Sequence, residues 1–213
     1  FILKGMNRSI DHLYYINLNK RVDRDTHIKH NVLPFFGCDI SNFTRISAID
    51  TTDLSTPDMR AIGCTLSHLE IYSHAKASNF KTILIIEDDF IPVIDAEKFD
   101  DMTEYLLTNL PDFNVCQIAY NVDQRNTKDI GHGVIKSGSN IQTTSGYILN
   151  VNFCDTLAPV FTESVDRLRG GESADKYACD QVWKRFQTVE YKWYLMERVG
   201  KQLNNYSDIE GRK

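Results

Sequence analysis

The chain contains no Cys-x-x-Cys pair, no cysteine and histidine at zinc-finger intervals, and no apolar stretch near the roughly 20 residues that span a bilayer. These absences argue against a small metal-stapled scaffold and against a membrane-spanning helix. Dense basic clusters are missing too. Lys and Arg number 24 against 29 Asp and Glu, for a net charge of -5, and only scattered pairs such as Lys184-Arg185 occur, so nucleic acid is not an expected partner. No internal repeat or low-complexity segment interrupts the 213 residues, and 42% of them are hydrophobic, enough to bury one substantial core, so residues 1–213 are expected to form a single domain. Cys38, Cys64, Cys116, Cys154 and Cys179 are an odd, dispersed set in apolar surroundings, which points to reduced thiols in a cytoplasmic compartment, bacterial or viral. The chain starts at Phe1 rather than Met, which leaves a trimmed targeting segment and a secretory route open.

What is present is most concentrated at Thr82-Ile83-Leu84-Ile85-Ile86, which runs directly into Glu87-Asp88-Asp89. A continuous apolar, β-branched run is the pattern of a strand covered on both faces. Three adjacent carboxylates repel one another, so a fold that gathers them at a strand end calls for a counter-charge such as Mn²⁺ or Mg²⁺; the bland alternative is a solvated acidic turn. If the chain stays extended through this point, Glu87 and Asp89 share one face.

The surrounding pattern is that of an α/β domain. His12–Leu18 reads as a strand followed by a polar loop and a helix over 23–33; Phe43–Ile49 as a second strand. A helix is expected to begin near Gly63 and run to Phe80, with Leu66, Leu69, Tyr72 and Ala75 on its apolar face and Ser67-His68 in its first turn, where free N–H groups favour an anion. Further helices are expected over 99–110, 151–161 and 174–187, and strands over 115–120, 142–149 and 191–196, with 121–133 as loop and 204–213 as a polar tail. Two halves are expected, at about 12–120 and about 121–209.

Three families of site would use such a triplet. A receiver domain needs a second apolar strand ending in Asp some forty residues on, and no apolar run precedes Asp129. A haloacid-dehalogenase-like phosphatase needs Asp first at the strand end, where this chain has Glu87. A nucleotide-sugar transferase instead uses a short acidic motif to hold a divalent ion across two donor phosphates, and other segments agree with it. Ile16-Asn17-Leu18 with Arg21 and Arg24, Gly63-Cys64-Thr65-Leu66-Ser67-His68, Ile85-Ile86-Glu87-Asp88-Asp89, Thr144-Ser145-Gly146-Tyr147-Ile148-Leu149, Ala178-Cys179-Asp180-Gln181-Val182-Trp183 and Gln202 with Ser207-Asp208-Ile209 together resemble glycosyltransferase family 25, the lipopolysaccharide-biosynthesis and collagen β-galactosyltransferase family. The chain departs from the family pattern in spacing the two arginines as Arg21-Val22-Asp23-Arg24 and in carrying Gly146 where Ala is usual.

The resemblance implies a GT-A-like mixed sheet flanked by helices, with the half at about 12–120 binding the nucleotide and that at about 121–209 the acceptor, a UDP-sugar donor, Mn²⁺ or a similar ion, and inverting transfer of a hexose, galactose or glucose, to a hydroxyl on a glycan or hydroxylated protein. It also assigns roles. Asp89 is the first metal ligand, Glu87 contacts ribose, metal or metal-bound water, and Asp88 supports them or caps a turn. Asn17 hydrogen-bonds uracil or forms a turn, Leu18 binds the donor, and Arg21 and Arg24 reach the diphosphate or uridine, a solvated helix start being the alternative for both and the stronger one for Arg24. His68 reaches the diphosphate or the metal, and Ser67 either joins it or caps the helix. Asp180 is the candidate general base or a helix cap, Gln202 and Ser207 close over the diphosphate from the tail, and Tyr147 and Trp183 belong to the core or an acceptor platform.

Overall fold

The computed structural model describes residues 10–51, 57–121, 128–136 and 140–203. Among these, nine strands form one sheet: β1 (His12–Asn17), β2 (Phe43–Ser47), β3 (Thr82–Glu87), β4 (Phe90–Pro92), β5 (Val115–Asn121), β6 (Lys128–Gly131), β7 (Val134–Lys136), β8 (Gln142–Asn150) and β9 (Trp193–Gln202). Their order is β2-β1-β3-β8-β5-β9-β7-β6, with β4 paired to β9. β1 is parallel to both β2 and β3, and β5 to β9, whereas β8 runs antiparallel between β3 and β5. Strands from the two expected halves are therefore interleaved in one sheet.

The helices are α1 (Val22–His27), which continues as a π-helical turn over Ile28–Val32, then α2 (Pro57–Ala77), α3 (Ala96–Asn109), α4 (Cys154–Arg169), α5 (Ala174–Tyr177) and α6 (Cys179–Val182). They cover both faces of the sheet, as the unbroken apolar run of β3 requires. Leu84 and Ile86 pack on one face with Leu13, Tyr15, Ile28, Phe99 and Leu106, and Ile83 and Ile85 on the other with Tyr14, Ile71, Tyr72, Leu157 and Phe161. All four β3 side chains are fully buried. At roughly 1.5–3 kcal/mol for each fully buried aliphatic side chain, this strand is a principal reason the sheet holds together.

Several elements differ from the sequence expectation, each for a physical reason. β3 ends at Glu87, and Asp88-Asp89 form a turn into β4, so the extended alternation that put Glu87 and Asp89 on one face does not hold. α2 already runs at Pro57, a residue compatible with a first helical turn because the N–H it lacks would be unsatisfied there anyway. Gly63 lies inside the helix because a Cβ there would stand 2.3 Å from the Ile49 carbonyl oxygen. Ser67 and His68 are consequently mid-helix, with no free N–H groups to offer an anion. Residues 128–133, expected as loop, form with Val134–Lys136 the β6-β7 hairpin, whose turn uses positive φ at Gly131, His132 and Gly133. The expected helix over 174–187 is broken into α5, α6 and a 3-10 turn at Trp183–Phe186, and the one over 151–161 extends to Arg169. β9 continues to Gln202, which therefore belongs to the sheet rather than to a tail.

Candidate active site

A cleft lies outside the carboxyl ends of β1, β2 and β3, the place where open α/β sheets receive ligands. Ile16, Leu18, Ala48 and Ile49 supply apolar wall, Arg24 and Arg60 positive charge, and Glu87, Asp88 and Asp89 negative charge, with Gln202 beside them.

The three carboxylates have been separated chemically by their neighbours. Asp88 is buried and fully engaged: Arg24 Nη1 donates to Oδ1 at 2.7 Å and Asn17 Nδ2 to Oδ2 at 2.7 Å. Burial still lifts its carboxyl above the ordinary range against the pull of Arg24. Glu87 accepts from the Thr144 hydroxyl at 2.7 Å and faces the His68 imidazole at 3.6 Å. Burial acts to raise Glu87, but His68, Thr144 and Arg24 outweigh it and hold the group below the usual carboxylate range. Among the described residues the Asp89 side chain receives one long bond, 3.3 Å, from Gln202 Nε2 to Oδ2, and its buried Oδ1 has no hydrogen-bond partner there. Burial and the charge of Glu87 push Asp89 up to about 7. A carboxylate so placed is short of positive charge, and an oxygen-seeking divalent ion is what its chemistry fits.

The remaining sequence candidates are distributed as follows. Asn17 is buried, and its amide is saturated: both hydrogens are donated, to Asp88 and to the Arg21 carbonyl, while Oδ1 accepts from Arg45 Nε and Nη2. A uracil contact through this side chain would require one of those bonds to break. Leu18 and Arg24 line the cleft, and Arg24 is buried rather than part of a solvated helix start. Arg21 turns instead to Asp23, with Nη2 at 2.9 Å from Oδ2, and is not among the lining residues. Ser67 is buried, donating to the Gly63 carbonyl at 2.7 Å and accepting from Ile49 N–H. His68 is completely buried below the cleft. Asp180, in the short α6, accepts from Thr143 N–H at 3.1 Å and from Gln181, and lies outside the cleft lining; burial raises its carboxyl. Thr143 has φ of +73°, a strained value for a β-branched residue, so Asp180 pins the turn of backbone that presents Thr144 to Glu87. Tyr147 and Trp183 are core residues packed edge to face. Ser207 lies outside the described residues.

Residues 58–168, more than half of the chain, match the model of glycosyltransferase family 25 (LPS biosynthesis protein). The chain belongs to glycosyltransferase family 25. The matched segment holds α2, β3 and the acidic turn, and ends before Asp180 and Gln202. A curated relative from Anopheles gambiae, a glycosyltransferase 25 family member, is 29% identical over 101 residues, an alignment covering 38% of this chain and 17% of the relative. The match thus spans far less than two thirds of that protein. A crystal structure of a glycosyltransferase involved in the glycosylation of the major capsid of PBCV-1 superposes with a TM-score of 0.58 at 9% identity, over 93% of this chain and 95% of that one. At this identity the likeness speaks for the fold, and the expected GT-A-like sheet between helices is what the chain adopts. Among the described residues no helix is long and apolar enough to cross a membrane.

Arg60, Cys64 and Thr144 are site residues that sequence reasoning did not single out by themselves. The signal for the first two was helical spacing. Once α2 is started at Pro57 rather than near Gly63, Arg60, Gly63, Cys64 fall at i, i+3 and i+4 and face the strand ends together. Nothing local marks Thr144, which reaches Glu87 only because β8 pairs antiparallel with β3.

Proposed function

We propose that this member of glycosyltransferase family 25 transfers a hexose, galactose or glucose, from a UDP-sugar to a hydroxyl on a glycan or hydroxylated protein, with inversion and with Mn²⁺ or Mg²⁺ held at Asp89 and Glu87. The observation that carries this reading is the unpartnered, buried oxygen of Asp89 at the end of a central strand, in a cleft that also offers guanidinium groups and an apolar wall. Asp89 and Glu87 would hold the ion, and its positive charge would offset the negative charge gathering on the departing diphosphate. Arg24 and Arg60 are suited to the phosphate oxygens, and Leu18, Ile16 and Ile49 to the flat faces of the base and ribose. Arg24 also holds Asp88 in place, and Asp88 fixes Asn17, so the first strand and the acidic turn are locked in one arrangement before any ligand arrives. Gln202 orients Asp89 from β9. The proposed base for the acceptor hydroxyl is Asp180, whose carboxyl is raised above its ordinary range by burial.

The deciding assay is metal-dependent release of UDP from a panel of UDP-sugars, with and without hydroxyl acceptors. Turnover that needs Mn²⁺ or Mg²⁺ and is abolished by Asp89→Ala, in a variant that keeps its far-ultraviolet spectrum, supports the reading. A second reading, a sugar-nucleotide-binding protein without turnover, is favoured by the engagement of Asp180 with Thr143 and Gln181 outside the cleft lining. Metal-dependent UDP-sugar binding with no transfer and no hydrolysis would establish that second reading instead.

A further inference from the structure

Beneath the acidic turn a second group of ligand atoms converges, and it is of a different chemical kind. Cys64 and His68 stand one helical turn apart on α2, and Cys179 opens α6; one donor atom from each lies within 4.8 Å of the others. The two sulfurs are 3.9 Å apart. A tetrahedral ion with zinc–thiolate bonds of about 2.3 Å holds its two sulfurs about 3.8 Å apart, so the pair is already at ligating separation. Glu87 Oε1 stands 4.0 Å from Cys64 Sγ and 3.6 Å from His68 Nε2, beside the three ligand atoms but not one of their set.

His68 is the independent sign that something belongs there. It is 0% exposed, and its Nε2 has no hydrogen-bond partner. An unsatisfied buried ring nitrogen is a cost that folding normally avoids. The other ring nitrogen, Nδ1, lies 2.8 Å from the Tyr147 hydroxyl, which lies 3.0 Å from that of Tyr72. With Nδ1–H donating to Tyr147, Nε2 keeps its lone pair for a metal, and outer partners of this sort are what fix the tautomer of a metal-binding imidazole.

We propose that Cys64, His68 and Cys179 bind a zinc ion directly beneath the cleft, its fourth position left to water. Two thiolates and an imidazole select zinc over the hard Mn²⁺ and Mg²⁺, which prefer all-oxygen surroundings such as Asp89. On binding, the ion displaces the thiol protons of Cys64 and Cys179, which leave to water, and takes the lone pair of Nε2. Cys64 lines the cleft and is only half-buried, which gives the ion a way in. No sugar takes part, so the inference stands or falls independently of the transferase reading.

Cobalt(II) as a spectroscopic substitute for zinc tests this on the full chain, purified under reducing conditions and stripped with a chelator. The expected result is one cobalt per chain with a thiolate-to-cobalt charge-transfer band that zinc abolishes. Cys64→Ser and Cys179→Ser should lose the band and Cys38→Ser should keep it. Tyr147→Phe should weaken zinc binding by about 10- to 100-fold. Should the buried-cysteine variants fail to fold, the unmodified protein still decides the matter, because bound zinc must slow alkylation of Cys64. Absence of the band from the parent protein, or alkylation indifferent to zinc, overturns the proposal. So does a Cys64–Cys179 disulfide that forms in air whether or not zinc is present, which would assign the pair to oxidation.

Discussion

Among the three acids at the turn, Asp89 combines burial with the least hydrogen bonding, and this has a measurable consequence. Its carboxyl is pushed up to about 7 by burial and by Glu87, against an unfolded value of about 3.9. The folded state therefore holds this proton more tightly than the unfolded state, so the associated stability is fully present below about pH 4 and is lost as pH rises through about 7. Asp89→Asn cannot ionise. In chelator it should be more stable than the parent above about pH 7, by on the order of a few kcal/mol, with the difference vanishing near about pH 4. Urea unfolding of both proteins across that range measures it, and a pH-independent difference would contradict the assignment. The Arg24–Asp88 pair behaves in the opposite sense: both side chains are buried and 2.7 Å apart, so Arg24→Met strands a buried carboxylate. A loss of about 3–5 kcal/mol is expected, and Arg24→Met combined with Asp88→Asn should recover more than half of it. Sequence reasoning could name Asp88, Arg24 and Asn17 but could not pair them, because they lie on different elements and their contacts depend on the register of β1 against β3.

At the scale of elements, the strongest periodic signals were legible and the exceptions have local causes. The apolar run of β3 and the stripe Leu66, Leu69, Tyr72, Ala75 appear in the fold as expected, because burial on two faces or on one leaves a direct trace in residue type. The start of α2 was misplaced because Gly63 resembles punctuation, whereas its small size serves close packing against the β2-α2 connection. This yields a decisive substitution. Gly63→Ala gains about 1 kcal/mol of helix propensity, but its Cβ would lie 2.3 Å from the Ile49 backbone oxygen and 2.6 Å from Thr51 Oγ1. Backbone cannot swing aside as a side-chain tip can, so the clash wins, and a net loss of about 1–3 kcal/mol is expected by thermal or denaturant unfolding. Gly200 plays the same part for β9: a Cβ there would be 2.2 Å from the fully buried Phe90 ring. Gly200→Ala should destabilise by a comparable amount, and Gly200→Ala with Phe90→Leu should cost less than the sum of the two single changes, measured as a double-mutant cycle. The same ring bears on Gly146, where a Cβ would meet Phe90 at 2.9 Å, so the departure from the family's usual Ala goes with an aromatic neighbour. Neither the hairpin over 128–136 nor the break at Ala178 could be read from periodicity, since segments of three or four residues are too short to show any.

For the whole molecule, the controlling feature is the position of β3 between parallel β1 and antiparallel β8. That placement brings the first strand's Asn17, the helix-borne Arg24, the acidic turn and Thr144 to one edge, although they span the chain from its early residues to β8. It also lets β9 return through β4 to set Gln202 against Asp89. A ligand that bridges these parts would tie β1, α2, β3 and β9 together, so its binding should register as global stability rather than as a local change. If the cleft binds UDP with Mn²⁺, the two together should stabilise the folded chain by about 2.7 kcal/mol at a hundredfold excess over the dissociation constant, rising with concentration. Either component alone should do much less, because the diphosphate without the ion meets Glu87, Asp88 and Asp89 as like charges, and the ion without the diphosphate leaves coordination positions to water. Asp89→Asn should remove the synergy while Cys38→Ser retains it. Thermal unfolding with UDP, Mn²⁺ and both is the measurement, and strictly additive shifts in the parent protein would mean that the cleft does not bring metal and diphosphate together.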